Sequence, residues 1–278
     1  VPATIKLLWA ALLLAALPAF ATGAPPQRIA SLNLCTDQLL LMLVPPARIA
    51  SVTDWARKPE SSYMAAAARS VPTNGGLVEA VLPQHPDLIL AGAFTDVTLV
   101  QLLRKLGYRV EVVAIPQNLA EARQHILHFG ELVGAEAGAR AMVADMDARL
   151  RRLEPSAHAT SERPLAAVYA PNGVTVGRGT VLAEIIERAG WRNLGSEQDV
   201  EGYGELSLER LLVAQPRLIV LDVTSESNGG GSIAHGYLEH PALAALGRSA
   251  RTVVMPPRLS ECVGPMTVDA IELLAARR

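Results

Sequence analysis

Two glutamates, Glu79 and Glu209, stand 130 positions apart inside the same short phrase, VEAVLPQHPDLIL at 78–90 and LERLLVAQPRLIV at 208–220. Leu82/Leu212, Pro86/Pro216, Leu88/Leu218 and Ile89/Ile219 fall in identical register. A repeated carboxylate can complement a helix N-terminus or pair with a basic group, and a symmetric partner with two equivalent basic sockets would select one acid per repeat. Arg178 offers a guanidinium suited to carboxylate or phosphate groups. His125 and His128 are three apart, a spacing that brings two metal ligands together. They lack an acidic or cysteine neighbour in this reading, His85 falls in the repeat phrase and His235 in a glycine-rich stretch. No set of three or four ligands assembles, so no metal site and no cofactor are predicted.

Catalysis finds no support either. The chain has no G-x-S-x-G elbow, no His-Glu-x-x-His pair and no dinucleotide glycine fingerprint. Gly229–Gly231 lacks the strand-to-helix context and the Lys-Ser/Thr ending of a phosphate loop, and reads instead as a rim loop. A formal net charge of −2 gives no reason to expect a nucleic-acid surface.

The elements that must carry these residues alternate. Each repeat phrase has a helix-forming start, a proline that ends the helix and an apolar run, which encodes a short helix feeding a buried strand. Strands are predicted at 28–32, 48–52, 109–114, 165–170 and 252–255. Helices are predicted at 36–43 with a Thr36 cap, at 97–106 and 180–189 before a glycine, and from Thr267 to the end. Residues 171–179 read as a glycine-rich loop. Half of the residues are hydrophobic and only 4% aromatic, which suits a mostly parallel sheet covered by helices. Helices at 119–133 and 135–153 are separated by Gly134, and the second is long enough, at roughly 28 Å, to run across two lobes. The organisation is thus α/β with two similar lobes: residues 1–24 a leader, 25–134 the first lobe, 135–156 a linking helix and 157–278 the second lobe.

The leader joins Lys6, an apolar run from Leu7 to Ala21 and the small-residue stretch around Ala19–Ala21, the pattern of a cleavable export signal. An exported protein sits in an oxidising space, most simply a bacterial periplasm. Its two cysteines, Cys35 and Cys262, then either form a bridge tying the ends of the chain together or remain as two thiols lining a cleft.

RIASLNLCTDQLLLML, the two glutamate phrases, the long helix and LSECVGPMTVDAIELLA together resemble the substrate-binding proteins of ABC importers for iron-siderophores, haem and cobalamin. The resemblance covers essentially the whole chain after the leader. It implies two α/β lobes joined by one rigid helix, a monomer that captures a metal chelate in the cleft, and a two-fold symmetric permease on which Glu79 and Glu209 dock. Direct Zn or Mn binding, or a periplasmic enzyme, are the alternatives. Ligand is expected at the loops beyond the strand ends. Tyr203 falls where relatives place a cleft aromatic and Trp55 in the corresponding loop of the first lobe, while Tyr169, Asn172 and Arg178 are assigned to the loop after the first strand of the second lobe.

Overall fold

A computed structural model describes residues 24–153, 163–222, 241, 246 and 250–278. The leader up to Gly23, the end of the linking segment beyond Leu153, and the stretch holding Gly229–Gly231 and His235 lie outside the described residues.

The first lobe is built from β1 (Ile29–Ser31), α1 (Leu34–Leu43), β2 (Ile49–Ser51), α2 (Val78–Val81), β3 (Leu88–Gly92), α3 (Val97–Lys105) and β4 (Val110–Val113). Then come α4 (Leu119–Val133) and α5 (Glu136–Leu153). The second lobe holds β5 (Leu165–Tyr169), β6 (Val174–Val176), α6 (Val181–Arg188), β7 (Arg192–Asn193), α7 (Leu194–Glu197), β8 (Tyr203–Glu205), α8 (Leu208–Ala214), β9 (Leu218–Asp222) and β10 (Arg251–Met255). α9 (Pro257–Ser260) and α10 (Pro265–Ala275) close the chain.

Each lobe has a parallel four-stranded sheet, and the two orders correspond strand for strand: β2-β1-β3-β4 and β7-β5-β9-β10. The repeat phrases occupy the same place in both. β3 pairs with β1 through Ile29↔Leu88, and β9 pairs with β5 through Ala166↔Leu218. Ahead of each strand the helix runs out into a left-handed residue, His85 or Gln215, both at φ 46°. Proline follows at once, so the helical ladder cannot continue.

Alternation along the strands gives each sheet two covered faces. In lobe one Ile29 and Leu90 face the large central core while Ala30 and Ile89 face a smaller cluster with Val81 and Leu103. In lobe two Val168 and Val220 face the central core while Tyr169 and Ile219 join Leu206 and Leu211. The helices bearing Glu79 and Glu209 therefore cover corresponding outer faces. Their anchors, Val81 and Leu211, are both fully buried.

The central core runs without interruption between the sheets, through Phe129 of α4, Met146 and Leu150 of α5, and Ile271 and Leu274 of α10. α5 spans about 27 Å at 1.5 Å per residue, and α4 lies alongside it. The two helices approach closely at Gly130, where an added Cβ would sit 2.5 Å from the Ala139 Cβ. Gly134 makes the reversal between them possible with φ 62°.

Three local details differ from the sequence expectation. α1 begins two residues earlier, because Asn33 rather than Thr36 caps it, accepting from Cys35 N at 2.9 Å. Thr36 instead donates back to Asn33 O at 2.9 Å. The stretch 171–179 is not all loop: Val174–Val176 forms β6 and pairs antiparallel with β8. α10 starts at Pro265, where a proline costs no hydrogen bond.

Candidate ligand cleft and docking surface

In lobe one the connections leaving β1 to β4 carry the exposed chemistry. After β2 the chain enters a 3₁₀ turn, Asp54–Arg57, in which Ala56 is fully buried and Trp55 is 45% exposed. Arg57 fixes the turn by donating to Val71 O at 2.6 Å and Ala68 O at 3.2 Å. Lys58 Nζ sits 3.5 Å from the centre of the Trp55 ring, a cation–π contact. Beyond β3, Phe94 is 89% exposed, more than any other large apolar side chain among the described residues. Sequence reasoning missed Phe94, since AGAFTD reads as an ordinary polar-ended connection and only the fold shows that its ring is uncovered.

Lobe two places its predicted residues unevenly. Tyr203, the first residue of β8, is 76% exposed. Tyr169 is buried at the end of β5, beneath the surface. It and the exposed Asn172 share an open recess of about 780 Å³ with Glu205, Ser207 and Glu209. Arg178 lies elsewhere, in a recess of about 230 Å³ with Gln117, Asn118 and Glu184. Its guanidinium is already engaged by Glu201 at 2.8 Å, Asp199 at 2.7 Å and Ser196 O at 2.6 Å. Glu201 first and Asp199 second hold it above its already high range. These acids lie 21 and 23 positions away in sequence, so no local pattern announced them.

Glu79 and Glu209 are both exposed, each in the first turn of its helix. Glu209 is held below the usual carboxylate range by its own backbone N–H and then by the Ser207 hydroxyl. His125 and His128 line a groove of about 370 Å³ between α4 and β4, together with Glu111 and Glu121. Burial, then the neighbouring His128, lowers the His125 pKa. His128 Nδ1 stands 3.5 Å from Glu131, an acidic neighbour one turn on. Among the described residues no three His, Cys, Asp or Glu side chains converge as metal ligands.

The base of the molecule is cross-linked. Cys35 of α1 and Cys262, just before α10, form a disulfide with Cα atoms 5.4 Å apart. Arg258 N donates to Glu60 O at 3.1 Å, and Leu119 N at the start of α4 donates to Glu184 of α6 at 2.9 Å. Tyr63 of lobe one donates to Asp269 of α10 at 2.6 Å, which pushes its pKa up to about 12. Asp269 also pairs with Arg149 of α5, whose guanidinium meets Glu272 at 2.6 and 2.9 Å. One network thus ties a lobe-one loop, the linking helix and the C-terminal helix together.

Residues 29–246 match the profile of a family described as periplasmic binding protein. A cobalamin-binding protein of Halobacterium salinarum is 26% identical over 215 residues, 75% of this chain and 57% of that protein. The chain therefore spans little more than half the length of this relative. Among solved structures, a periplasmic heme binding protein from Pseudomonas aeruginosa superimposes with a TM-score of 0.71 at 25% identity, covering 90% of this chain and 92% of that one. The vitamin B12 binding protein BtuF of Vibrio cholerae gives a TM-score of 0.61 at 19% identity over 91% of this chain and 96% of that one.

Proposed function

The chain belongs to the periplasmic binding protein family, and from that premise we propose that it captures a metal chelate of the iron-siderophore or cobalamin type between its lobes and delivers it to the permease of an ABC importer. The family is one of periplasmic solute-binding proteins rather than enzymes, and its structural relatives belong to the metal-chelate group. The observation that carries the finer reading is the exposure of Trp55 and Phe94 on connections leaving β2 and β3, and of Tyr203 on β8 of the matched lobe. Aromatic rings left uncovered on both lobes favour a large, partly planar and apolar ligand over a bare ion. The cobalamin-binding relative inclines the choice toward a corrinoid. Asn172 would supply a hydrogen bond to the ligand's periphery, with Tyr169 beneath it, while Glu209, which lines the same recess, serves the permease. Arg178, held by two acids, is left with a structural part in β6–β8 packing.

On this reading Glu79 and Glu209 dock on two equivalent basic sockets of a symmetric permease. The cross-linked base keeps the lobes at nearly fixed separation, so binding proceeds with little closure. Titrating the purified protein with cyanocobalamin, ferrichrome and hemin, followed by tryptophan quenching, tests the ligand class. Saturable quenching by cyanocobalamin that weakens at least tenfold, about 1.4 kcal/mol, when Trp55 becomes Ala is the expected result. Flat titrations with all three compounds would remove the reading.

A further inference from the structure

The interior of lobe one contains an ionisable group that neither packing nor docking uses. Asp37 of α1 is completely buried, and its Oδ2 accepts two hydrogen bonds from one residue, Thr53, through N at 3.1 Å and Oγ1 at 2.5 Å. Thr53 is itself buried and is the residue from which the 3₁₀ turn bearing Trp55 departs. Its own side chain makes no capping bond to that turn, so its hydroxyl is committed to Asp37 instead. The second carboxylate oxygen, Oδ1, has no hydrogen-bond partner among the described residues. Ser31 Oγ is near enough to favour the anion, yet its bond goes to Thr36 Oγ1 at 2.7 Å.

We propose that Asp37 is a protonation-controlled positioning residue for the wall of the cleft that carries Trp55. When the carboxyl is ionised, both Thr53 donors make charge-assisted bonds, about twice as strong as neutral ones, and the turn is held down. When a proton occupies Oδ1, the free oxygen, those bonds revert to neutral strength and the turn loosens over a carboxyl that stays buried, a local change opposite in sign to the global stability, which is greater at low pH. Burial pushes the Asp37 pKa up to about 7, outweighing Ser31 and Thr53, so the change falls near neutral pH. The functional meaning of the change rests on Trp55 lining the ligand cleft, but the coupling itself does not.

Asp37 has this behaviour to itself. β1 and β3, against which α1 packs, carry no ionisable side chain. On α4, Arg123 pairs with Asp147, His128 with Glu131, Glu121 with the N-terminal backbone, and His125 faces the groove along β4. In and after the turn, Asp54 approaches Gly75, Arg57 is bound to two carbonyls and Lys58 covers Trp55. No charged group contributes to the Asp37 shift, which comes from burial and two hydroxyl residues.

The test uses the exported protein, freed of the leader that holds Trp9, with Trp191→Phe, leaving Trp55 as the sole tryptophan, and measures its quenching by acrylamide from pH 5 to 9 without ligand. A rise of roughly twofold in the quenching constant as pH falls through about 7 is expected. It should vanish in Asp37→Asn and persist in His125→Gln. A pH-flat profile, or a transition that survives Asp37→Asn, overturns the proposal. Should Asp37→Asn fail to fold, amide exchange of peptide 52–58 in the unaltered chain decides: faster exchange at pH 6 than at pH 8, after correction for intrinsic rates, supports it, and equal protection overturns it. If the pH transition appears while cyanocobalamin, ferrichrome and hemin all fail to bind, the coupling stands and only the ligand reading falls.

Discussion

α2 and α8 occupy the same site on two matching sheets, yet they are built differently. From 81 to 90 and from 211 to 220 the succession of buried and exposed residues is identical, position for position. The buried anchors Val81 and Leu211, the left-handed His85 and Gln215, and the prolines after them coincide. What differs is local. α8 continues for seven residues from a Ser207 cap whose side chain accepts from Arg210 N. α2 is α-helical for four residues from the uncapped Leu77, then tightens into a 3₁₀ turn at Leu82–Gln84 around Pro83. Burial has kept the repeat where the chain meets its sheet, while the exposed turn has drifted. Each glutamate stands two residues ahead of the buried anchor with which the preserved part begins.

If that is correct, the pair acts together. Glu79→Ala with Glu209→Ala should abolish uptake in a cell-based import assay while leaving chelate affinity and melting temperature unchanged. Loss of affinity instead would place the acids in the cleft. Either single change removes one exposed ion pair, worth about 0.2–1 kcal/mol, and should reduce uptake only partly.

Truncating the anchors asks whether the preserved part carries the stability. Leu211→Ala should cost about 2–5 kcal/mol, and Val81→Ala roughly half as much because fewer buried methyl groups are lost. Denaturant melts measure both. Equal and small effects would mean that the outer clusters contribute little and that the shared burial pattern is incidental.

The interiors differ too. The buried polar side chains of the described second lobe, Thr175, Thr180, Asn193, Ser196 and Thr267, are all neutral, whereas the first lobe buries Asp37. Its folded pKa is raised from 3.8 to about 7. Between those values the folded state holds a proton that the unfolded state has lost. Stability contributed by this group is therefore present at low pH and declines as pH rises through about 7. The ceiling is roughly 4 kcal/mol, at about 1.4 kcal/mol per pH unit. Asp37→Asn should flatten the difference in unfolding free energy between pH 5 and pH 8. An unchanged slope would show that the carboxyl is hydrated in solution.

Much of this was legible in the residues, and the remainder was not for identifiable reasons. The apolar runs that become β3 and β9, the proline stops before them and the repeated glutamate are local signals, and they located a central strand of each sheet. β6 and β8 are three residues each and pair with one another from Val174↔Glu205 to Val176↔Tyr203, far apart in sequence, so Pro171–Gly179 read as loop. The Asn33 cap was hidden because Leu34 and Cys35, which follow it, look like loop residues until Cys35 is seen bonded to Cys262, 227 positions away. The site suffered most. Exposure of Phe94 and neutralisation of Arg178 by Asp199 and Glu201 are outcomes of tertiary packing, which residue type alone does not encode.

The smallest effects bear most directly on the drift between the two turns. Ser207→Ala removes the hydroxyl that satisfies Arg210 N and should destabilise α8 by about 1 kcal/mol. Leu77 has the extended backbone of a cap residue, φ −104° and ψ 139°, and is 61% exposed, so it gives up little contact when replaced. Leu77→Ser should therefore stabilise the lobe-one turn by about 0.5–1 kcal/mol, making it resemble its counterpart. Amide exchange of 78–82 and of 208–212 reports the two changes separately. Slower exchange around Glu79 in Leu77→Ser, alongside faster exchange around Glu209 in Ser207→Ala, would assign the difference between the lobes to the cap. If Leu77→Ser leaves exchange unaltered, Pro83 is the cause, because a proline at that position keeps the helix short whatever caps its start.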